Sequence, residues 1–154
     1  MKVRQAVLPL VVALVTAPVS AYAGDFGKYL SVADVEKVSG LTGVKVAPMA
    51  YANPNEGHLF VSDAKGKTIL DVFFESADQF SARKRTAVGV KDLVGVGDLA
   101  FISTTSLGPF EVVFKKGPMC VHLLAVHATD LNGKPGRLPV EQVTSLAKLV
   151  ASRI

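Results

Sequence analysis

Hydrophobic residues recur at every second position, or in short unbroken runs, along six stretches of the chain. This spacing is typical of β-strands with one or both faces buried. The six predicted strands cover 44–47, 58–62, 68–74, 99–103, 110–115 and 119–126. The last is apolar on both alternating sets, which predicts a central strand covered on both faces. Only a short loop containing Gly66 separates the second strand from the third, which predicts a hairpin.

A first helix is predicted over 31–39. Ser31 and Asp34 have the spacing of a capping box, with Asp in place of the usual Glu. Valines follow at roughly helical spacing, and Gly40 can take the left-handed conformation that ends many helices. We therefore expect a short helix ahead of the first strand.

Two further helices are predicted, one in the middle of the chain and one at its end. Ser76 and Gln79 repeat the capping-box spacing and indicate a helix over about 76–87. Apolar residues recur on one helical face over about 140–152. The order favours the α+β class, with an antiparallel sheet of about six strands and the helices packed mainly on one face. A duplicated αβββ unit followed by a C-terminal helix would have the same order.

The first 23 residues have the plan of a secretory signal peptide. Lys2 and Arg4 precede an uncharged apolar run, and Ala21 and Ala23 then have the A-x-A spacing of a cleavage site. The run is shorter than the about 20 residues of a membrane-spanning helix. We therefore predict cleavage before Gly24 and a single secreted or periplasmic domain over 24–154. An uncleaved membrane anchor is the alternative.

Removing this segment changes the composition of the chain. All 154 residues are 49% hydrophobic with a net charge of +4, and 16 of the 23 leader residues are apolar. The remaining 131 residues are 46% apolar (60 residues), with 15 Lys and Arg against 13 Asp and Glu. This composition excludes intrinsic disorder, and a single cysteine excludes an internal disulfide. A net charge of +2 in an exported protein argues against nucleic acid as a partner.

Four segments carry a resemblance to small secreted bacterial domains of unknown function, many of them actinobacterial lipoproteins. The segments are 38–43, 94–101, 113–117 and 146–154. The fold of that group looks similar to the sandwich of the photosystem PsbP proteins and Mog1, which implies the same fold for most of 30–154. This chain lacks the lipid-bearing cysteine and the usual disulfide pair of the lipoproteins. The group has no established catalytic residues, so the resemblance supports the fold and leaves the function and any cofactor open.

Cys120 and His122 are two residues apart on one predicted strand, so their side chains share a face. Both are ligands of copper or zinc, and His58 could complete the site if its strand lies nearby. His127 points to the other face. The alternative is a buried free thiol beside a hydrogen-bonded histidine.

A local basic patch is formed by Arg83, Lys84, Arg85 and Lys91. It could contact an anionic membrane surface or an acidic partner. The alternative is a solvated helix face, which the net charge of +2 favours.

The segment 95–100 matches G-x-G-x-x-A, the spacing of a dinucleotide-binding loop. In that motif the glycines open a helix whose N-terminus holds the pyrophosphate. Here the next residues, from Leu99, predict a strand. The alternative is a glycine loop that aims Asp98 and enters the sheet.

Three hypotheses of function follow. The first is an exported, soluble, non-enzymatic binding module that uses its loops (53–57, 107–109 and 132–136) or an open sheet face for an unknown protein or small molecule. The second is a periplasmic metal-binding protein built on Cys120 and His122. The third is a secreted inhibitor or a small hydrolase, and a hydrolase would need a serine or carboxylate in hydrogen-bond reach of a histidine.

Overall fold

The computed structural model describes residues 25–49, 53, 56–104, 110–126 and 138–154. Seven strands and three helices lie within these ranges: α1 (Val32–Ser39), β1 (Lys45–Met49), β2 (Gly57–Ser62), β3 (Thr68–Ser76), α2 (Gln79–Thr86), β4 (Val88–Asp92), β5 (Leu99–Thr104), β6 (Phe110–Lys116), β7 (Met119–Ala125) and α3 (Val140–Arg153). A single 3₁₀ turn, Phe26–Lys28, precedes α1.

All seven strands join one sheet in the order β1-β2-β3-β7-β6-β5-β4, and every neighbouring pair is antiparallel. β7 lies in the middle of the sheet, so the prediction of a central strand in this part of the chain is confirmed. The α+β class and the antiparallel sheet are confirmed as well, whereas the expected number of about six strands is wrong by one. The edges are β4 and β1, and β1 contains Pro48.

The additional strand is β4, in a stretch where the hydrophobic pattern predicts no strand. Gly89 has a φ of 63°, and only Val88, Lys91 and Asp92 have register partners on β5. Four of its five residues are exposed, so the buried-and-exposed alternation that reveals a strand is missing. The two halves of the chain therefore contain three and four strands, and the duplication stays a prediction.

α1 and α3 occur where the sequence predicts them. The Oγ of Ser31 accepts a hydrogen bond from the N–H of Asp34 at 3.3 Å, and the Asp34 carboxylate accepts one from the N–H of Ser31 at 2.8 Å. Gly40 ends α1 in the left-handed conformation, with a φ of 69°. Within the described ranges, no helix combines the length and the apolar character that crossing a membrane requires.

α2 begins at Gln79, so the prediction of a capping box at Ser76 is wrong. Ser76 is the last residue of β3 and pairs with Met119 of β7. The N–H of Ala77 then donates to the carbonyl of Pro118 at 3.0 Å. The backbone of Ser76 and Ala77 is thus paired with the β6–β7 hairpin and is not available to begin a longer helix. Asp78 precedes α2 and forms no side-chain cap bond.

Successive strand residues point to opposite faces of the sheet, and the two faces differ in cover. α1 and α3 pack on the first face, where buried strand residues form the main core: Leu59, Val61, Leu70, Val72, Phe74, Val112, Phe114, Val121 and Leu123. α2 packs on the second face, over a separate cluster of four buried residues: Phe80, Phe101, Val113 and Cys120. Only one of the described helices, the short α2, packs on the second face. This face is therefore where we look for functional side chains.

An ion pair ties the end of α3 to the start of α1. The guanidinium of Arg153 donates to both carboxylate oxygens of Asp34, at 2.6 and 2.8 Å, and to the carbonyl of Tyr29 at 3.1 Å. These bonds hold the pKa of Asp34 well below its ordinary value of 3.8.

Candidate functional site

Three neighbouring strands place two histidines on either side of a phenylalanine on the second face. In the register of β2, β3 and β7, His58 lies beside Phe73 and Phe73 lies beside His122. The rings of His58 and Phe73 are stacked with centroids 4.0 Å apart, and those of Phe73 and His122 with centroids 5.3 Å apart. Phe60 adds a further ring 4.0 Å from His58. We call His58, Phe73 and His122 the histidine–phenylalanine row.

Each histidine of the row has a carboxylate on an adjacent strand. The Nε2 of His58 lies 3.2 Å from Oδ1 of Asp71, and the Nε2 of His122 lies 2.6 Å from Oε2 of Glu111. Both histidine side chains are 7% exposed, and the carboxylates are 16% and 14% exposed. Carboxylates and histidines are seldom this buried in a sheet unless they are paired. The two histidine–carboxylate pairs are therefore our candidate for a functional site.

Glu111 also binds a serine. The Oγ of Ser103, on β5, donates to Oε1 of Glu111 at 2.5 Å, and Ser103 itself is buried. Burial alone would raise the pKa of Glu111, but the contacts with His122 and Ser103 and the charge of Arg83 outweigh it and hold this pKa below the ordinary value. The carboxylate thus stands between serine and histidine. In a nucleophilic triad the histidine contacts the serine directly, so this arrangement does not activate Ser103.

His122 has unused hydrogen-bonding capacity. Its Nδ1 is buried and has no hydrogen-bond partner among the described residues. Its Nε2 is close to Glu111 but lies outside hydrogen-bond geometry. A buried polar atom left without a partner costs about 1–3 kcal/mol, and such atoms are normally satisfied by water or a ligand.

α2 lies next to this row and is fastened by an ion pair. The Nε of Arg83 donates to Oε2 of Glu75 at 2.7 Å, and the Nη2 of Arg83 donates to Oε1 of Glu75 at 2.5 Å. The bonds to Glu75 raise the pKa of Arg83 above its ordinary value. Phe80 packs against the second face of the sheet, in the cluster that contains Val113. Val113 is the register partner of His122. The helix therefore covers the flank of the site nearest His122.

The three predicted metal ligands are only partly brought together. Cys120 and His122 do share a face, but Phe73 lies between His122 and His58. Burial raises the pKa of Cys120 to about 12, which disfavours the thiolate that a metal needs. Among the described residues, no group of three or more His, Cys, Asp or Glu side chains is placed to hold a metal ion. His127 lies outside them.

Half of the cations in the predicted basic patch are paired with carboxylates. Arg83 pairs with Glu75, and Lys84 pairs with Asp92 at 2.5 Å. Arg85 and Lys91 are exposed. Because two of the four cations already have carboxylate partners, the patch offers less positive potential than its sequence indicates.

The glycine motif over 95–100 opens a strand. The N–H of Asp98 donates to the carbonyl of Lys115 at 2.8 Å, and its carboxylate accepts from the N–H of Gly117 at 2.8 Å. Gly97 has a φ of 57°, and a Cβ there would lie 2.4 Å from the Lys115 carbonyl oxygen. These hydrogen bonds attach the loop to the β6–β7 turn. The loop leads into β5, so it has no helix N-terminus that could bind a pyrophosphate.

Sequence reasoning missed Asp71, Ser103 and Glu111. A usable signal was present for one of them. The tight turn at 117–118 makes β6 and β7 a hairpin whose register puts Val113 opposite His122, and Glu111 then lies on the same face two residues away. A carboxylate in that position is within reach of the histidine across the hairpin.

Several predicted features lie outside the described residues. These are the signal peptide with Ala21, Ala23 and Gly24, and the loops at 107–109 and 132–136. Of the loop at 53–57, the structure describes residues 53, 56 and 57. There the N–H of Glu56 donates to the carbonyl of Asn53 at 3.1 Å.

No family model, no curated protein and no solved structure matches the chain. The resemblance to small secreted domains with a PsbP-like or Mog1-like fold therefore stays a prediction.

Proposed function

We propose that this protein is an exported, non-enzymatic binding module whose ligand site is the histidine–phenylalanine row with its two carboxylates. The observation that carries the proposal is the unpartnered, buried Nδ1 of His122 beside the stacked ring of Phe73. A site that offers both an unused hydrogen-bonding atom and apolar rings is typical of small-molecule pockets.

The chemistry of the row supports a small ligand with two parts. Phe60 and Phe73 offer aromatic surface, and both are half-buried. His122 offers a hydrogen bond at its unpartnered Nδ1, while the carboxylates of Asp71 and Glu111 lie against the two imidazoles. A planar apolar group with a hydrogen-bonding substituent would use both parts. A flat protein surface would reach these atoms less well because the histidine side chains are almost fully buried.

Export is proposed on the sequence pattern of the leader, with its basic start and its A-x-A site at Ala21 and Ala23. The remaining chain, over 24–154, would be the working protein.

The other hypotheses have weaker support. A metal protein would need a third ligand close to Cys120 and His122, in place of the Phe73 ring that separates His58 from them. A hydrolase would need Ser103 to contact His122, whereas its hydroxyl donates to Glu111. A secreted inhibitor has no specific observation in its favour.

A thermal-shift screen tests the proposal. The screen would use planar aromatic amines, alcohols and carboxylic acids, since these combine the two parts that the site calls for. A compound at 100 times its Kd stabilises the folded state by about 2.7 kcal/mol, which is a measurable rise in Tm. We expect at least one class to raise the Tm of the wild type and to lose the effect in His122→Gln and in Phe73→Leu.

Arg153→Gln is the matched control, because it removes an ion pair on the first face and leaves the row intact. It should keep the ligand-induced rise in Tm. A rise that persists in His122→Gln and Phe73→Leu would place the binding site elsewhere. The absence of any rise with all three compound classes would contradict a small aromatic ligand.

A further inference from the structure

The attachment of α2 to the sheet is slight. Phe80 is the only buried residue of this helix, and the N-terminal end has no side-chain cap bond. α3, on the first face, buries five residues by comparison: Val143, Leu146, Ala147, Val150 and Ala151. α2 therefore depends on one aromatic ring and on its ion pairs.

Those ion pairs are accessible to solvent. The side chains of Arg83 and Glu75 are 29% and 23% exposed, and those of Lys84 and Asp92 are 41% and 74% exposed. Pairs at such positions are weakened by salt and contribute less than buried contacts. The forces that hold α2 down are thus few and partly screened.

Both ends of α2 provide a place for bending. On the N-terminal side, Ala77 is held to Pro118 by a backbone hydrogen bond, and Asp78 follows without a cap. On the C-terminal side, Ala87 is extended and directly precedes Val88, the first residue of β4 that pairs with β5. Bending at these two points would let the helix leave the second face while the seven strands stay paired.

What α2 covers is the flank of the candidate site. Its cluster contains Val113, the register partner of His122, and Cys120, two residues before His122 on β7. We propose that α2 is a hinged flap that opens locally, with the sheet intact, and uncovers the His122 side of the second face. Its role as a gate for ligand rests on the function proposed above, but its opening does not.

The protein contains its own reporter of this motion. Cys120 is the single cysteine and is buried beneath Phe80. A thiol reagent such as DTNB can reach it only when α2 opens or when the whole protein unfolds. The rate of labelling, compared with the free energy of global unfolding from urea titration, separates the two routes.

We expect Cys120 of the wild type to be labelled more than about tenfold faster than global unfolding allows. The labelling rate should rise only slightly with urea concentration, because local opening exposes little surface. High salt should accelerate it. Arg83→Gln should accelerate it by about 2–5-fold, the range expected for the loss of one partly exposed ion pair. Phe80→Leu keeps an apolar side chain but removes the edge contact with Phe101 (5.4 Å between centroids), and should act in the same direction.

Arg153→Gln is the control, since it weakens the first face and should change labelling only as far as it changes global unfolding. Labelling at the global rate in the wild type, Arg83→Gln and Phe80→Leu alike would overturn the flap. If labelling shows local opening but the screen yields no ligand, the proposed function fails and the flap stands. If a ligand binds without slowing the labelling of Cys120, the flap opens but does not gate the site.

Discussion

Phe73 and Phe74 are consecutive residues of β3, and they show how differently the two faces of one sheet are built. Phe74 is fully buried on the first face, with its ring 4.8 Å from that of Phe26. Phe73 is half-buried on the second face, between two histidines that pair with carboxylates. The first face gains stability from dry apolar packing, whereas the second face places polar groups where they are costly. Stability therefore comes mainly from the first face, and the ligand site that we propose lies on the second.

The largest expected effect comes from truncating these two rings in turn. Phe74→Ala should lower the free energy of unfolding by about 3–5 kcal/mol, because it leaves a cavity in the main core. Phe73→Ala should lower it by only about 1–2 kcal/mol, because the ring is partly exposed and its neighbours are polar. Urea unfolding of both variants measures the difference. Equal losses would mean that the second face is as much a core as the first.

An intermediate effect is expected from Glu111→Gln, which keeps the shape of the side chain but removes its charge. It should cost about 1–3 kcal/mol at pH 7, since the partners in the buried pair are left poorly satisfied. The folded pKa of Glu111 lies below its ordinary value of 4.5, so its contribution is present above that pH and is lost as the pH falls through the folded value. Urea titrations at neutral and at acid pH should therefore show the deficit shrinking in acid. A deficit that grows in acid would contradict the assignment.

The smallest effect is expected on the first face, at its one described ion pair between helices. Arg153→Gln should cost about 1 kcal/mol at neutral pH. The pKa of Asp34 is lowered, so the stabilisation persists at and above its ordinary value of 3.8 and disappears only as the pH falls further. The Tm of the variant should accordingly converge with that of the wild type in strong acid. Asp34→Asn should cost more than Arg153→Gln at neutral pH, because it also weakens the capping bond from the N–H of Ser31. A smaller cost than that of Arg153→Gln would show that Arg153 acts mainly through the Tyr29 carbonyl.

Much of this architecture could be predicted because it is local. Alternation within a strand fixes which residues share a face, so Cys120 and His122 were correctly placed together. Ser31 and Gly40 mark the ends of α1 through contacts within a few residues. In contrast, β4 escaped prediction because an exposed edge strand with a glycine in the left-handed region has no hydrophobic alternation to detect.

The site could be predicted only in part, since its assembly depends on which strands are neighbours. His58 with Asp71, and His122 with Glu111, are contacts across two hairpins. The register of the β6–β7 hairpin can be inferred from its tight turn, whereas the β2–β3 register shifts between Val61 and Ser62 and cannot be inferred in this way. The meeting of the two pairs at Phe73 requires β3 to lie beside β7, and the register partners Phe73 and His122 are 49 positions apart in the chain (122 − 73). Nothing in the local pattern specifies that adjacency.

The two edges of the sheet have a consequence for how the protein behaves at high concentration. Pro48 on β1 has no N–H to offer an incoming strand, and the irregular backbone at Gly89, next to the exposed Lys91, disrupts the ladder on β4. An eighth strand from another molecule would find neither edge ready to pair. The same irregularity that made β4 hard to recognise thus makes this edge a poor template for strand addition.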